Sequence, residues 1–189
     1  MNDRVASSKG LGFGVFAIAS WLMSMGGAGF MPQAYGGNPS HLVLSVAMIG
    51  LLIAAIAAFL RHETWYAFFF MLWSAVSWGL GGGHMGAAAG LAPLAPLGWF
   101  WLAIAFVNLY LWLAAMRAEL GPAVSLTVLL VSLTMIGLGL QGVLGIGVAG
   151  RIGSYLGLAT ALVAFYVSAE AIMNRGGRGA RASDGPPVI

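Results

Sequence analysis

Apolar residues dominate the chain in six long runs, each separated from the next by a short polar, glycine-rich or proline-rich break. A helix needs about 20 mostly apolar residues to cross a bilayer. Six segments meet that condition, and the pattern predicts transmembrane helices over residues 10–31, 41–60, 64–82, 98–116, 123–148 and 152–173. The two-residue alternation of barrel strands is absent. The predicted fold class is therefore an all-α integral membrane protein, a bundle of six transmembrane helices.

The breaks predict where the helices are joined. PQAYGGNPS follows the first run, and Arg61-His62-Glu63 separates the second from the third. The stretch 81–98 is apolar but rich in glycine and proline, so we expect a loop that lies along the membrane surface. Residues 117–122 separate the fourth run from the fifth, and Gly150-Arg151 separates the fifth from the sixth.

Composition and charge agree with a membrane protein and give its direction. Of the residues, 60% are hydrophobic and only 7% are charged, against about 25% charged in a typical soluble domain. Seven basic residues fall on one side of the predicted membrane and Arg151 alone on the other, so both termini should be cytoplasmic. Those seven are Arg4, Lys9, Arg61, Arg117, Arg175, Arg178 and Arg181. We expect a cytoplasmic segment over 1–9, a transmembrane domain over 10–173 and a disordered cytoplasmic tail over 174–189.

The runs contain few groups that could do chemistry. Asn108, Gln141 and Glu170 are the main polar candidates, and the three histidines lie at run ends or in breaks without metal-ligand spacing. The Gly-x-Gly-x-x-Gly pattern at 137–142 has no preceding strand, so it does not indicate a nucleotide site. No cysteine is present. We therefore expect no enzyme activity, no cofactor, no metal and no nucleic-acid partner.

Glycines and one carboxylate carry the most specific signals. Gly12 and Gly14 flank Phe13, and Gly139 and Gly142 lie in the fifth run. Small residues let helix backbones approach closely in lipid, so these positions predict tight packing against neighbouring helices or another subunit. Glu170 lies about one turn from the cytoplasmic end. It either reaches water or Arg175, or forms a polar group at the mouth of a pathway.

Four stretches resemble the acetate uptake transporter family, which comprises six-span bacterial acetate–succinate permeases and fungal ammonia and acetate relatives. GFGVFAIASWLMSMGGAGF resembles the first helix of the family, and IGLLIAAIAAFLRHETWYAFFFMLWSAVSW resembles the second and third helices. VSLTVLLVSLTMIGLG resembles the fifth helix, and LVAFYVSAEAIMN resembles the sixth. These stretches carry the resemblance, which as a whole covers almost the entire membrane part of the chain.

The resemblance implies a function and a site. It implies a homohexamer in the bacterial inner membrane, in which each subunit has its own pore for acetate or a similar monocarboxylate. The implied apolar constriction consists of Phe13, Trp73 and Leu126, with Leu133 as a rival for Leu126 because a Ser-Leu-Thr repeat permits two alignments. Glu170 and Asn174 would lie at the pore mouth. An anion crosses an apolar neck at high cost, so coupling of transport to a proton would be consistent with this constriction.

The chain also departs from the family in its polar motifs. ASSKGLG stands where the family has Asn-Pro-Ala-Pro-Leu-Gly, and Trp73 stands where it has tyrosine. The Gly-Gly-x-x-Gln motif of the family is reduced to Gly50, with Ile53 near the glutamine position. His62-Glu63-Thr64 stands where the family has Gly-Asn-Thr. Two alternatives therefore stay open beside a monocarboxylate channel. One is a non-transporting accessory or scaffold subunit, and the other is a channel for a small neutral solute such as ammonia or urea.

Overall fold

The chain forms six helices in a computed structural model that describes residues 8–31, 40–88 and 97–183, with side chains described over 8–31, 46–79 and 97–174. In chain order the helices are α1 (Ser8–Gly27), α2 (Ser40–Leu60), α3 (Thr64–Ala88), α4 (Leu97–Arg117), α5 (Pro122–Leu144) and α6 (Gly147–Ser183). These ranges contain no strand. Among the residues whose side chains are described, four helices are long and apolar enough to cross a membrane, namely α1, α4, α5 and the Gly147–Asn174 part of α6.

Two predicted breaks lie elsewhere than expected. Residues 81–88, predicted to form a loop, continue α3 as a helix. An unpaired backbone amide costs several kcal/mol in apolar surroundings, so the helix continues through its glycines. The break between the fifth and sixth helices lies at Gly145 rather than at Gly150-Arg151. Gly145 has a φ of 70° and its N–H donates to the Gln141 carbonyl, which ends α5 in the left-handed conformation that glycine adopts at little cost.

Helix ends elsewhere differ by smaller amounts. The Arg61–Glu63 link lies where it is predicted, between Leu60 and Thr64. Helix α1 ends at Gly27, four residues before the predicted end of the first run, and Gly29 then turns the chain with a φ of 82°. Helix α6 continues to Ser183, whereas the predicted tail begins at residue 174. The first seven residues and the last six lie outside the described ranges.

The six helices surround a common core. Each of α2, α1, α6 and α5 packs along two neighbours, which gives the order α3, α2, α1, α6, α5, α4 around the bundle. The backbones of α3 and α4 approach each other along only a short stretch, as do those of α1 and α3. Large side chains therefore fill the space on the inner side of α3.

Aromatic rings from two helices occupy that space. Phe13 and Phe16 of α1 and Phe69, Phe70 and Trp73 of α3 are all buried in one apolar cluster. Buried valines of α5 belong to the same cluster. In lipid, side chains gain little from leaving one apolar medium for another, so close van der Waals packing of this kind holds the helices together.

Glycines bring α4, α5 and α6 into backbone contact. A Cβ added to Gly142 of α5 would lie 2.6 Å from the Cα of Gly98 in α4. A Cβ added to Gly137 would lie 2.7 Å from the carbonyl oxygen of Ala149 and 2.8 Å from the Cα of Gly153, both in α6. Because the obstructing atoms are backbone, these helices cannot accommodate a side chain at either crossing without moving apart. The three helices therefore form one tightly packed wall.

Hydroxyl groups in the interior are satisfied mostly within their own helices. Thr127, Ser132 and Thr160 donate to the carbonyl four residues earlier, each at 2.8 Å. This arrangement is common for Ser and Thr in apolar surroundings because it leaves no unpaired donor. Bonds between helices are fewer, and the described ones are Ser74 Oγ to the Met48 carbonyl, Ser168 Oγ to the Gly10 carbonyl and Trp65 Nε1 to the Leu111 carbonyl.

Candidate functional site: an aromatic neck and a polar mouth

The glycines around Phe13 let two neighbouring helices approach α1. A Cβ at Gly12 would overlap the ring of Phe70 on α3. A Cβ at Gly14 would lie 2.9 Å from the Oγ of Ser168 on α6, and one at Gly10 would lie 3.1 Å from Ile172 of the same helix. Gly10 and Gly14 are one helical turn apart and thus share a face. Gly10 and Gly14 therefore allow α6 to approach α1 on one side, and Gly12 allows α3 to approach on the other.

Phe13 lies at the centre of a closed group of rings, and its side chain is 0% exposed. Its ring centroid is 5.6 Å from that of Phe69, to which it is stacked, and 5.4 Å from that of Phe70, which it meets edge to face. Phe16 continues the group, with centroid distances of 5.3 Å to Phe69 and 5.0 Å to Trp73. We call these five residues the aromatic neck. They leave no room for a solute beside Phe13 in this conformation.

Trp73 is the polar exception within the neck. Its side chain is only 6% exposed, and its Nε1 has no hydrogen-bond partner among the described residues. The Oδ1 of Asn108 in α4 is in the same condition, while the Nδ2 of that side chain donates to the Ile104 carbonyl at 2.8 Å. A buried polar group without a partner is costly, typically about 1–3 kcal/mol. Such groups point to a water or solute that completes them.

Helix α5 contributes to the core through a face that does not include the residues assigned by resemblance. Leu126 is 44% exposed and its rival Leu133 is also exposed. The structure therefore does not bring either leucine together with Phe13 and Trp73. The inward face carries Val124, Val128 and Val131 instead, at the three- and four-residue spacing of one helix face.

A polar mouth lies at the end of the bundle where α1 and α3 begin. Glu63, directly before α3, accepts a hydrogen bond of 2.7 Å from Ser8 Oγ and one of 2.9 Å from Arg61 Nε. These contacts tie the first residue of α1 to the link between α2 and α3. His62 in that link has a φ of 60°, an unusual value for a residue other than glycine. The link is therefore a defined turn.

Tyr66 joins the mouth to the neck. Its ring meets that of Phe13 edge to face, with the centroids 6.2 Å apart. Glu63 and Glu170 are both close enough to interact electrostatically with Tyr66. Glu170 is half-buried near the end of the apolar part of α6, whereas Asn174, one turn further on, is exposed. Tyr66 thus lies against the central ring of the neck and within electrostatic range of two carboxyl groups.

Sequence reasoning missed several of these contributions. Glu63 was treated only as part of a polar break, although a carboxylate directly before a helix commonly interacts with helix N-termini. Ser77 follows Trp73 by four residues, which is the spacing that brings two side chains to one helix face. The described residues contain no group of three or more His, Cys, Asp or Glu that could hold a metal ion.

Comparison with known proteins adds one finding on the fold. The chain is similar to a solved structure described as the structure of the bacterial acetate channel SatP, with a TM-score of 0.82 and 13% sequence identity over 92% of this chain and 95% of that chain. No protein-family model matches the sequence, and no curated protein matches it. The four long apolar helices fit a multi-pass membrane protein. The likeness shows that the chain shares the fold of that structure.

Proposed function

We propose that this chain is a membrane channel for acetate or a similar small monocarboxylate, and that the aromatic neck is its gate. The observation that carries the proposal is the complete burial of Phe13 between Phe69 and Phe70, inside a bundle with the fold of an acetate channel. Phe13 and Trp73 form the constriction from the α1 and α3 sides. The inward valines of α5 form the opposite side, in place of Leu126.

Electrostatics favours passage of the solute in its neutral form. Monocarboxylic acids have pKa values near 4, so they are anions at neutral pH. An anion loses most of its hydration in an apolar neck, and the polar side chains buried in the described core are the uncharged Ser, Thr and Asn. Glu170 at the mouth would repel an anion further, whereas the charge of Glu63 is offset by its ion pair with Arg61. We therefore propose that a proton accompanies the solute.

The remaining features of the proposal concern assembly and orientation. The basic residues are concentrated in the segments expected on one side of the membrane, which supports cytoplasmic termini and a polar mouth that faces the cytoplasm. Glu170 and Asn174 would then lie at the cytoplasmic entrance. The assembly would be a homohexamer in the bacterial inner membrane, with one pathway in each subunit.

A second candidate function is a channel for a small neutral solute such as ammonia or urea. The observation that favours it is the set of uncharged hydrogen-bonding atoms left unpartnered in the described core, Trp73 Nε1 and Asn108 Oδ1. One is a donor and the other an acceptor, which suits a neutral polar molecule as well as a carboxylic acid.

Flux measurements in liposomes test both functions. Purified protein in liposomes that enclose a pH-sensitive dye would be given acetate, formate, succinate and ammonia in turn, with protein-free liposomes as the control for passive permeation. Protein-dependent flux of acetate and formate, with little flux of succinate, would support the monocarboxylate channel. Flux of ammonia alone would support the second candidate. If no solute shows protein-dependent flux, both transport functions are wrong.

A further inference from the structure

A small cavity lies beside the aromatic neck, between α1, α2 and α3, and has a volume of about 20 Å³. Its wall includes Ser20 and Met23 of α1, Leu51 of α2, and Trp73 and Ser77 of α3. A space of this size admits one water-sized atom and no more. A whole carboxylic acid does not fit while the neck is closed.

Trp73, one of the residues that line the cavity, carries a hydrogen-bond donor that lacks a partner among the described residues. The Trp73 side chain is only 6% exposed, and its indole Nε1 has no hydrogen-bond partner among the described residues. Because an indole N–H can only donate, the group that completes it must be an acceptor. An oxygen atom in the cavity would meet that need.

Ser20 and Ser77 supply the other polar groups of the wall. The Ser77 hydroxyl donates to the Trp73 carbonyl at 2.8 Å, so its hydrogen is already in use and its oxygen lone pairs stay free to accept. A hydroxyl that has donated to a carbonyl can still accept from a water or from a protonated carboxyl group. The residues around the cavity thus include an unpartnered donor on Trp73 and hydroxyl acceptors on Ser20 and Ser77, beside apolar side chains.

We propose that this cavity is a binding site for a single oxygen atom, in which Trp73 Nε1 donates to a water at rest and to a carboxyl oxygen of the solute during passage. The proposal rests on the proposed channel function and assigns the atom that recognises the solute in the gate. Met23 is unbranched and adaptable, so its displacement provides room for the rest of the carboxyl group. Ser77 accepts from the solute when the solute is protonated.

Nuclear magnetic resonance of the indole groups tests the site directly. The protein would be labelled with ¹⁵N at tryptophan and placed in lipid nanodiscs, and the Trp73→Phe variant would assign the Trp73 signal by its loss. Sodium acetate would then be titrated against sodium chloride at constant ionic strength. We expect the Trp73 signal to shift and to saturate with acetate alone. Trp78, on the same helix but 65% exposed, supplies the control signal and should not shift.

Flux measurements with matched variants give the second readout. Trp73→Phe keeps a large ring but loses the donor, so acetate flux in liposomes should fall about fivefold, the size expected for one lost hydrogen bond between uncharged groups. Trp78→Phe should leave flux unchanged. Ser77→Ala should reduce flux about threefold, whereas Ser132→Ala, which removes the same type of bond on α5, should not.

The two readouts separate failure of the site from failure of the channel. If wild-type protein carries acetate while the Trp73 signal does not shift, or while Trp73→Phe and Ser77→Ala both transport normally, the oxygen site is wrong and the channel function stands. If wild-type protein carries no acetate, the channel function is wrong, and the titration alone decides the site. A saturable shift would then support it, and a constant signal would overturn it.

Discussion

The ring of Phe70 lies against the backbone of Gly12, in the space that a side chain at this position would occupy. Phe70 is itself completely buried and meets Phe13 edge to face at 5.4 Å. The residue before Phe13 therefore determines how closely α3 approaches α1. Glycine weakens a helix by roughly 1 kcal/mol relative to alanine. Because it has no side chain, however, it lets the rings of the neck come into contact.

Gly12→Ala should destabilise the protein although alanine is the better helix former. The added methyl group has to displace the buried ring of Phe70, and such overpacking typically costs about 1–3 kcal/mol. Thermal unfolding in detergent, followed by circular dichroism, would show a lower midpoint. Gly79→Ala in α3 is the matched control, since a Cβ there meets no described atom within 4 Å. Equal midpoints for Gly12→Ala and the wild type would contradict the packing described here.

Phe13→Ala should make the pathway leakier and less selective. Loss of the ring at the centre of the neck opens space between α1 and α3, so we expect faster acetate flux in liposomes and measurable flux of succinate. Truncation of a buried phenylalanine costs about 3–5 kcal/mol, and the variant must therefore be shown to be folded by gel filtration. Phe106→Ala, at an exposed position of α4, is the control. Unchanged transport and selectivity would count against a gate at Phe13.

Glu63→Gln should loosen the start of α1. The variant loses the charge that pairs with Arg61 and weakens the hydrogen bond from Ser8. The side chains of Arg61 and Glu63 are 14% and 27% exposed and Ser8 is buried, so the free energy of unfolding should fall by about 1 kcal/mol. Hydrogen exchange of the amides in the first two turns of α1 should become roughly two- to fivefold faster. Glu119→Gln, in the exposed link between α4 and α5, is the control and should leave that exchange unaltered. Equal exchange rates in the two variants would contradict a role of Glu63 in holding the start of α1.

The native mass of the purified particle tests the assembly. A homohexamer would have six times the 19.5 kDa mass of one chain, once bound detergent is subtracted. Mass photometry or light scattering in detergent, repeated after reconstitution into nanodiscs, would measure it. A stable monomer in both media would rule out the ring of six, and co-purification with a different protein would favour the accessory-subunit alternative.

The helices could be located from the sequence with good accuracy, and the reason is physical. An apolar run long enough to span lipid is an unambiguous signal, and the Arg61–Glu63 link interrupts it sharply. Gly145 was harder to interpret, because a glycine in a membrane helix serves close packing as readily as it ends a helix. The left-handed φ of Gly145 depends on its hydrogen bond to Gln141, which the sequence pattern does not reveal.

The inward faces of the helices could not be predicted in the same way. In a soluble protein, polar residues mark the outer face of a helix, but lipid and core are both apolar. Leu126 and Val128 are both apolar, so polarity does not distinguish them. Nevertheless Leu126 is exposed and Val128 is completely buried. Phe13 was easier, since its flanking glycines indicate a close helix contact. Trp73 was assigned only through the resemblance, which says nothing of its unpartnered indole N–H.

The uneven contacts around the bundle have a mechanical consequence. Helices α4, α5 and α6 interlock backbone to backbone at their glycines, whereas α3 meets α4 along a short seam that includes the bond from Trp65 to the Leu111 carbonyl. Three of the five neck rings are carried by α3. A sideways movement of α3, together with the α2 helix along which it packs, would withdraw all three rings while α4, α5 and α6 kept their contacts. The proposed pathway would then have two states, closed and open, rather than a width that changes gradually.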